Sequence, residues 1–412
     1  MKIAKFLSID GGGIRGIIPA MTAAHIEQQI GAPIATRVHG LVGCSTGAIV
    51  AASVAQAKPM PASDVVKFYR EHGGAIFGDG GYGVTGPKYD PAPLEKALLE
   101  VFGTTRLSSV GVSTADFMAA AYALEGRAPW LFKSWKARGL DGGTPDDDFK
   151  LADVCRSTSA APTFFPPSQI VSGAKKTYHL IDGGVCLNNP AMAAYVAARR
   201  LYPLADSVLI VSLGTGDLTK PYPYADAKDW GLAGWAQPLL DIMFQGVSES
   251  TAYELDQLAP SVKHIRLQAS LEGANEAMDD ASPGNLDNLA KCAARLLVTQ
   301  KARIDEVIAA LKEPLADRAS LGYPKMGAPP IPKRPAWGKL ILPLAVVQSA
   351  PMAKPPVGTT PAPQGPAQAA WRLGGTAAGA IAGGAVGGPL GALVGAVAGY
   401  LGGQKAEEIR SV

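Results

Sequence analysis

Continuous apolar runs, each closed by a glycine turn and followed by a helix-like stretch, organise the first three quarters of the chain. Lys2–Ile9 is one such run and reads as a buried strand. A glycine loop follows, then a helix over Pro19–Ile30, with proline in its first turn, where a missing N–H costs nothing. Val38–Val42 is a second buried strand, leading through Gly43-Cys44-Ser45-Thr46-Gly47 into an apolar helix over Ala48–Ala57. Ser207–Leu213, SVLIVSL, is a later strand of the same kind, and Leu286–Leu311 carries the helical period that closes the domain. Strands that are apolar throughout, rather than alternating, are covered on both faces. Joined by helices they predict an α/β fold, a mostly parallel sheet between helical layers.

Elsewhere the pattern breaks. Gly73–Pro91 is rich in glycine and tyrosine with little periodicity, and reads as a surface loop of the kind that borders a site. The domain is placed at 1–315. Over 316–372 prolines recur every few residues, as in a semi-rigid basic linker. The segment 373–404 holds no charge, and glycine stands at every fourth position from Gly375 to Gly403. In water each such glycine costs a helix about 0.5–1 kcal/mol against alanine. In a bilayer the same spacing lets helix backbones approach closely, which also gives a route to self-association. One unbroken helix would be about 48 Å long, more than the roughly 30 Å of hydrocarbon, and Gly387-Gly388-Pro389 divides it. The segment is therefore read as a helical glycine zipper that associates with a membrane, flanked by Trp371, Arg372 and Lys405 as interfacial anchors. Residues 405–412 form a polar end.

Charge sharpens that division. The net +3 conceals nine basic and two acidic residues within 318–412, which leaves that stretch at +7 and the body at −4. A basic tail on a mildly acidic body suits an anionic surface, or simply keeps a tail solvated. No nucleic-acid partner is expected. Cys44, Cys155, Cys186 and Cys292 are scattered without a CxxC pair, which excludes a zinc-ribbon or disulfide-framework reading and fits a reducing compartment. The opening apolar run is too short for a signal peptide, so the expected location is cytoplasmic, with the membrane reached through the tail.

Three local patterns carry chemistry. Gly43-x-Ser45-x-Gly47 sits between an apolar strand and an apolar helix, where a serine on a sharp turn presents its Oγ and needs small neighbours. Asp10-Gly11-Gly12-Gly13-Ile14-Arg15-Gly16 follows the first strand, and consecutive glycines let backbone N–H groups converge on an oxyanion. The same residues spell the dinucleotide fingerprint, but the next strand lacks the acidic residue that motif needs. Asp182-Gly183-Gly184 ends a third apolar stretch and is followed by Asn188-Asn189-Pro190. Asp141-Gly142-Gly143, in an acidic run, reads as a solvated turn. A Ser–His–acid arrangement is the rival. Of His25, His39, His72, His179 and His264, only His264 stands in the usual chain order, and nothing around it resembles a catalytic loop.

Taken together these motifs resemble the patatin-like phospholipase family. The glycine loop DGGGIRG at 10–16, the elbow GCSTG at 43–47 and the DGG motif at 182–184 occur in the family's order, with SAAPTFFPP at 159–167, Asn188-Asn189-Pro190 and SLGTG at 212–216. The resemblance covers residues 3–315 and leaves the linker and zipper outside. It implies a three-layer fold and a serine lipid acyl hydrolase of the phospholipase A type. Ser45 is then the nucleophile, Asp182 its base, and Gly11, Gly12 and Gly13 the oxyanion hole with Arg15 beside it. Gly43, Gly47, Gly183 and Gly184 support the turns. No metal or cofactor is implied. The family also includes effectors of bacterial antiviral signalling that degrade membranes, so a small-molecule activator is a further expectation. The contrasting expectation is a membrane-perturbing or scaffold protein whose zipper tail is the active agent.

Overall fold

The structure is a computed structural model and describes residues 1–78, 80, 86–328 and 330. The zipper and the linker from residue 331 onward lie outside the described residues. Those described residues form one compact unit.

Strands β1 (Ile3–Ile9) and β2 (Gly40–Cys44) flank helix α1 (Ile17–Ile30). Helices α2 (Thr46–Ala55), α3 (Ala62–Ile76) and α4 (Ala92–Phe102) follow, then β3 (Asp116–Ala123) and β4 (Ala128–Lys133). A single turn α5 (Ser134–Ala137) and α6 (Leu151–Thr158) lead to β5 (Ser168–Val171) and β6 (Thr177–Asp182). After the short α7 (Gly184–Leu187) come α8 (Ala191–Leu201), β7 (Ser207–Leu213), a turn α9 (Tyr224–Ala227) and the long α10 (Leu232–Asp256). Strand β8 (Val262–Leu267) and helices α11 (Pro283–Thr299) and α12 (Lys301–Lys312) complete the body.

The sheet runs β5-β6-β3-β2-β1-β7-β8, with β4 beside β3. Its centre, from β3 to β8, is parallel, and β4, β5 and β6 are antiparallel. Alternation along β1 explains the layering. Leu7 and Ile9 point into a core closed by α1–α4, α6, α11 and α12, while Ala4 and Phe6 point into a second core closed by α8 and the C-terminal half of α10. The result is the three-layer α/β arrangement that the apolar runs predict.

One feature of the pairing places the site. Strand β4 occupies one edge of β3 over Met118–Ala123. Strands β2 and β6 therefore share the opposite edge, β2 pairing with Asp116–Ala120 and β6 with Ala121–Ala123. Because β2 runs parallel to β3 and β6 antiparallel to it, their C-terminal ends meet head to head. Cys44 lies opposite Ala120, and Asp182 lies opposite the next residue, Ala121.

Some sequence expectations shift. The helix expected over Leu286–Leu311 is two helices, broken at Gln300. The loop expected from Gly73 begins later, since α3 continues through Gly73 and Gly74 to Ile76; residues 79 and 81–85 are outside the described set. Packing also continues beyond 315. Leu321 is fully buried in the second core, and Tyr323 stacks on Tyr202 with ring centroids 5.3 Å apart. Asp141 does occupy a left-handed turn, with φ 50°, but its carboxylate is buried and takes two 2.8 Å hydrogen bonds from Arg200 rather than facing solvent. Among the described residues no helix is long and apolar enough to cross a membrane.

Candidate active site

Ser45 stands between β2 and α2 with φ 51° and ψ −129°, a conformation that L-residues rarely adopt. The turn is held by its neighbours. A Cβ at Gly47 would fall 2.3 Å from the Ile9 carbonyl oxygen, and one at Gly43 would fall 2.4 Å from the Ala48 backbone, so only glycine allows the strand and helix to approach this closely. The Ser45 amide donates to Thr158 Oγ1 at 2.8 Å, and Thr158 in turn donates to the Ala120 carbonyl, tying the elbow to β3. Ser45 also caps α2, so the positive end of that helix dipole lies at the serine.

Across the β2–β6 junction, Asp182 is 1% exposed. Its carboxylate is hydrogen-bonded by the Ser45 side chain and accepts the Gly184 amide at 2.7 Å, with Cys44 Sγ a longer contact at 3.9 Å. Burial pushes the Asp182 carboxyl up to about 7, and those hydrogen bonds pull the other way without restoring the usual value. A carboxylate that titrates near neutrality is suited to exchange a proton with a serine.

The glycine loop curls over the same point. The Gly11 amide donates to the Asn188 carbonyl at 3.0 Å and the Ile14 amide to the Met278 carbonyl at 2.8 Å. Between them Gly12 and Gly13 line the cleft that contains Ser45, and Gly13 has φ 59° with no room for a Cβ, which would fall 2.1 Å from the Met278 carbonyl oxygen. Of the three glycines expected to donate, Gly11 is thus already engaged. Arg15 is buried behind the loop, its Nε donating to the Gly12 carbonyl at 3.2 Å, so it fixes the loop rather than reaching into the cleft.

The cleft is walled mainly by apolar side chains, among them Ile49, Phe68, Ile76, Leu94, Phe164 and Phe244. Its polar side chains are few: Ser45, Ser159, Asp182 and Asn188, and the mutually hydrogen-bonded Thr46 and Tyr69. Such a slot matches a long hydrocarbon chain with its ester at Ser45. None of the five histidines lines it. His264 lies on β8, separated from β2 in the sheet by β1 and β7, and bonds Asp256 through Nδ1 at 2.9 Å. His179 pairs with Glu125 at the surface. Among the described residues no group of three His, Cys, Asp or Glu side chains is placed to hold a metal ion.

Sequence reasoning brought together Ser45, Asp182 and the glycine loop, and missed Thr158, Phe244 and Met278. Met278 contributes a backbone carbonyl and Phe244 an apolar wall, neither of which leaves a mark in a sequence.

Comparison with known proteins shows the family to which the chain is related. The family model described as patatin-like phospholipase matches residues 7–195. The chain is 30% identical over 366 residues to Patatin-like protein 1 of Arabidopsis thaliana, covering 77% of this chain and 86% of that protein. It is 33% identical over 337 residues to Patatin-06 of Solanum tuberosum, covering 72% and 84%. It is 32% identical over 336 residues to the potato protein named Probable inactive patatin-3-Kuras 1, covering 72% and 87%. Identity at this level, sustained over most of the folded body and most of the length of each relative, means common descent, and the chain belongs to the patatin-like phospholipase family of lipid acyl hydrolases.

Proposed function

We propose that this protein cleaves acyl esters of membrane phospholipids with a Ser45–Asp182 dyad, through an acyl-enzyme. The observation that carries the reading is the head-to-head meeting of β2 and β6, which sets the Ser45 hydroxyl against a buried carboxylate raised to about 7.

The acyl chain lies in the apolar cleft with its ester carbonyl at Ser45. The Ser45 hydroxyl passes its proton to the Asp182 carboxylate as Oγ bonds to the carbonyl carbon. The oxyanion that forms meets the amides of Gly12 and Gly13 and the positive end of α2. On collapse the C–O bond to the alcohol breaks, and the leaving alkoxide takes the proton from Asp182. Asp182, ionised again, accepts a proton from water as that water attacks the acyl-enzyme, and releases it to Ser45 as the fatty acid departs. Arg15 keeps the Gly12 carbonyl turned away, so that the loop amides face the cleft.

Membrane delivery is assigned to the glycine zipper and the basic stretch before it from residue 331, which lie outside the described residues. Hydrophobic small-residue spacing, and seven basic against two acidic residues over 331–412, support that role. An effector that damages membranes when a small molecule switches it on is the extension of this reading. Equal activity of the purified enzyme and of the enzyme in extract from stimulated cells would remove the activator from it.

The deciding experiment is fatty-acid release from mixed phospholipid vesicles, with calcium chelated, by wild type, Ser45→Ala and Asp182→Ala. Loss of release in both variants, with folding intact, supports the dyad. Retention of most activity by Asp182→Ala would remove Asp182 as the base, and His264, on β8 beyond β1 and β7, could not take its place. Vesicle damage that survives Ser45→Ala but not deletion of 373–412 would make the tail the active agent.

A further inference from the structure

Behind the glycine loop lies a second, small cavity of about 30 Å³ that the hydrolysis itself does not use. It shares Asn188 and Phe244 with the acyl cleft, so the two spaces adjoin at those residues. Their characters are opposite. The acyl cleft is apolar, whereas this cavity is lined by the carboxylates of Asp10, Asp217, Asp241 and Glu249, with Arg15 as the one cation among the described lining residues. Arg266 pairs with Asp10 from behind at 2.6 Å. With that pair neutral and Arg15 set against one further carboxylate, the cavity keeps an excess of negative charge.

Two buried atoms define what the cavity lacks. Asp10 is 2% exposed and Asn188 7%, and the Oδ1 of each is sealed from solvent with no hydrogen-bond partner. The second oxygen of Asp10 is taken by Arg266, and the amide nitrogen of Asn188 donates to Ser248 Oγ at 2.9 Å. Both unfilled atoms are acceptors, and a buried acceptor without a donor costs free energy that a ligand can recover. Burial also pushes the carboxyls of Asp10, Asp217 and Asp241 above their ordinary range, a cost that an incoming cation offsets. A ligand group with positive charge and N–H donors would satisfy both acceptors and offset the acidic lining.

We propose that this cavity is the subsite for a primary ammonium group on the alcohol half of the lipid, as in an ethanolamine headgroup. The proposal rests on the acyl-hydrolase reading of Ser45: with the acyl chain in the apolar cleft, the alcohol half leaves toward Asn188, which forms the seam between the two spaces. A quaternary ammonium carries the charge without the donors, and a glycerol headgroup carries the donors without the charge. The cavity accordingly ranks the three.

The test uses full-length protein and three phospholipids with identical acyl chains, bearing ethanolamine, choline or glycerol headgroups, dispersed in neutral detergent micelles. The readout is kcat/KM for fatty-acid release. Ethanolamine lipid is expected to be cleaved about 10-fold faster than glycerol lipid, with choline lipid between them, the size expected for one charge-assisted hydrogen bond. The double variant Asp217→Asn/Glu249→Gln, two acidic positions away from the dyad, is expected to bring the ethanolamine-to-glycerol ratio to within about 2-fold of unity. Each variant's rate on a soluble p-nitrophenyl ester, and its loss on adding Ser45→Ala, reports separately on the acyl-hydrolase reading. Equal cleavage of all three lipids by wild type overturns the subsite. So does a preference that the double variant keeps. If free ethanolamine inhibits wild type but headgroup preference is absent, the cavity holds a free amine and the substrate assignment fails.

Discussion

At the N-terminal edge of the sheet Asp116 is buried among two guanidiniums, a phenol and a hydroxyl, whereas at the C-terminal edge Asp182 is as deeply buried and has no ion pair among the described residues. Arg138 pairs with Asp116, Arg318 stands 3.6 Å from it, Tyr323 donates to it at 2.7 Å and Ser134 at 3.4 Å. Asp182 has only the Ser45 hydroxyl, one backbone amide and a long thiol contact. The same residue type, buried to the same degree, is thus a closed structural joint at one edge and an open proton acceptor at the other. Pairing is what makes a buried charge tolerable, and leaving it unpaired keeps its proton exchangeable at a cost in stability.

The largest effect expected from breaking this comparison is on catalysis. Ser45→Ala and Asp182→Asn should each lower fatty-acid release by at least about 10³-fold, as for paired nucleophile and base elsewhere. Their stabilities should differ. Asp182→Asn removes an ionisable group that the fold prefers protonated, so its melting temperature at pH 8 should rise above wild type; a fall would mean that Asp182 is held as a structural charge after all.

Asp116→Asn should do the reverse. It strands Arg138 and Arg318, and about 3–5 kcal/mol of destabilisation follows from breaking such a buried set. Rate per folded molecule should stay near wild type. Denaturant unfolding and active-site titration of the same sample separate the two outcomes.

pH tests both edges at once. Asp182 must be ionised to act, so kcat/KM should fall about 10-fold per pH unit below pH 7. Its folded pKa lies above the ordinary 3.8, so its contribution to stability is greatest below that value and is lost as pH rises to about 7, on the order of 4 kcal/mol at most. His39, at the opposite edge, has the other sign. Its Nδ1 accepts from the Lys5 amide at 3.0 Å, its Nε2 donates to the Ala316 carbonyl at 3.0 Å, and burial lowers it from 6.5 to about 4. Stability from His39 is therefore present above 6.5 and lost as pH falls toward 4. His39→Gln should flatten the acid limb of a melting-temperature profile and leave the activity limb where it was.

The smallest effect belongs to Arg15→Gln. It loosens the Gly12 carbonyl without removing a loop amide, and kcat should fall by about 10-fold with KM little changed. A rise in KM alone on a soluble p-nitrophenyl ester, which has no headgroup to reach the acidic cavity, would place Arg15 against the acyl half instead.

Much of this was legible from residue order. SVLIVSL at 207–213 has the bounds of β7 because a strand buried on both faces admits few polar residues. The elbow was readable because Gly43 and Gly47 meet backbone atoms only a few residues away or on the adjacent strand. The antiparallel β4, β5 and β6 were not, since β4 and β6 mix burial classes without a clean period and β5 alternates over only four residues. Residues 316–323 looked like linker because their docking depends on Asp116, about two hundred positions earlier. Asp141 looked solvated because its neighbours are acidic, although Arg200 covers it.

What the sequence by itself determined is the class of fold, the bend at Ser45 and the glycine loop, because those follow from sterics between near neighbours and from the apolar period of single segments. Only the tertiary structure decided that β2 and β6 share an edge of β3, that Gly11 is engaged while Gly12 and Gly13 line the cleft, and that an acidic cavity adjoins an apolar one at Asn188. These depend on the order of strands in the sheet. That order is settled by many weak contacts between distant segments, each too small to leave a pattern of its own in the chain.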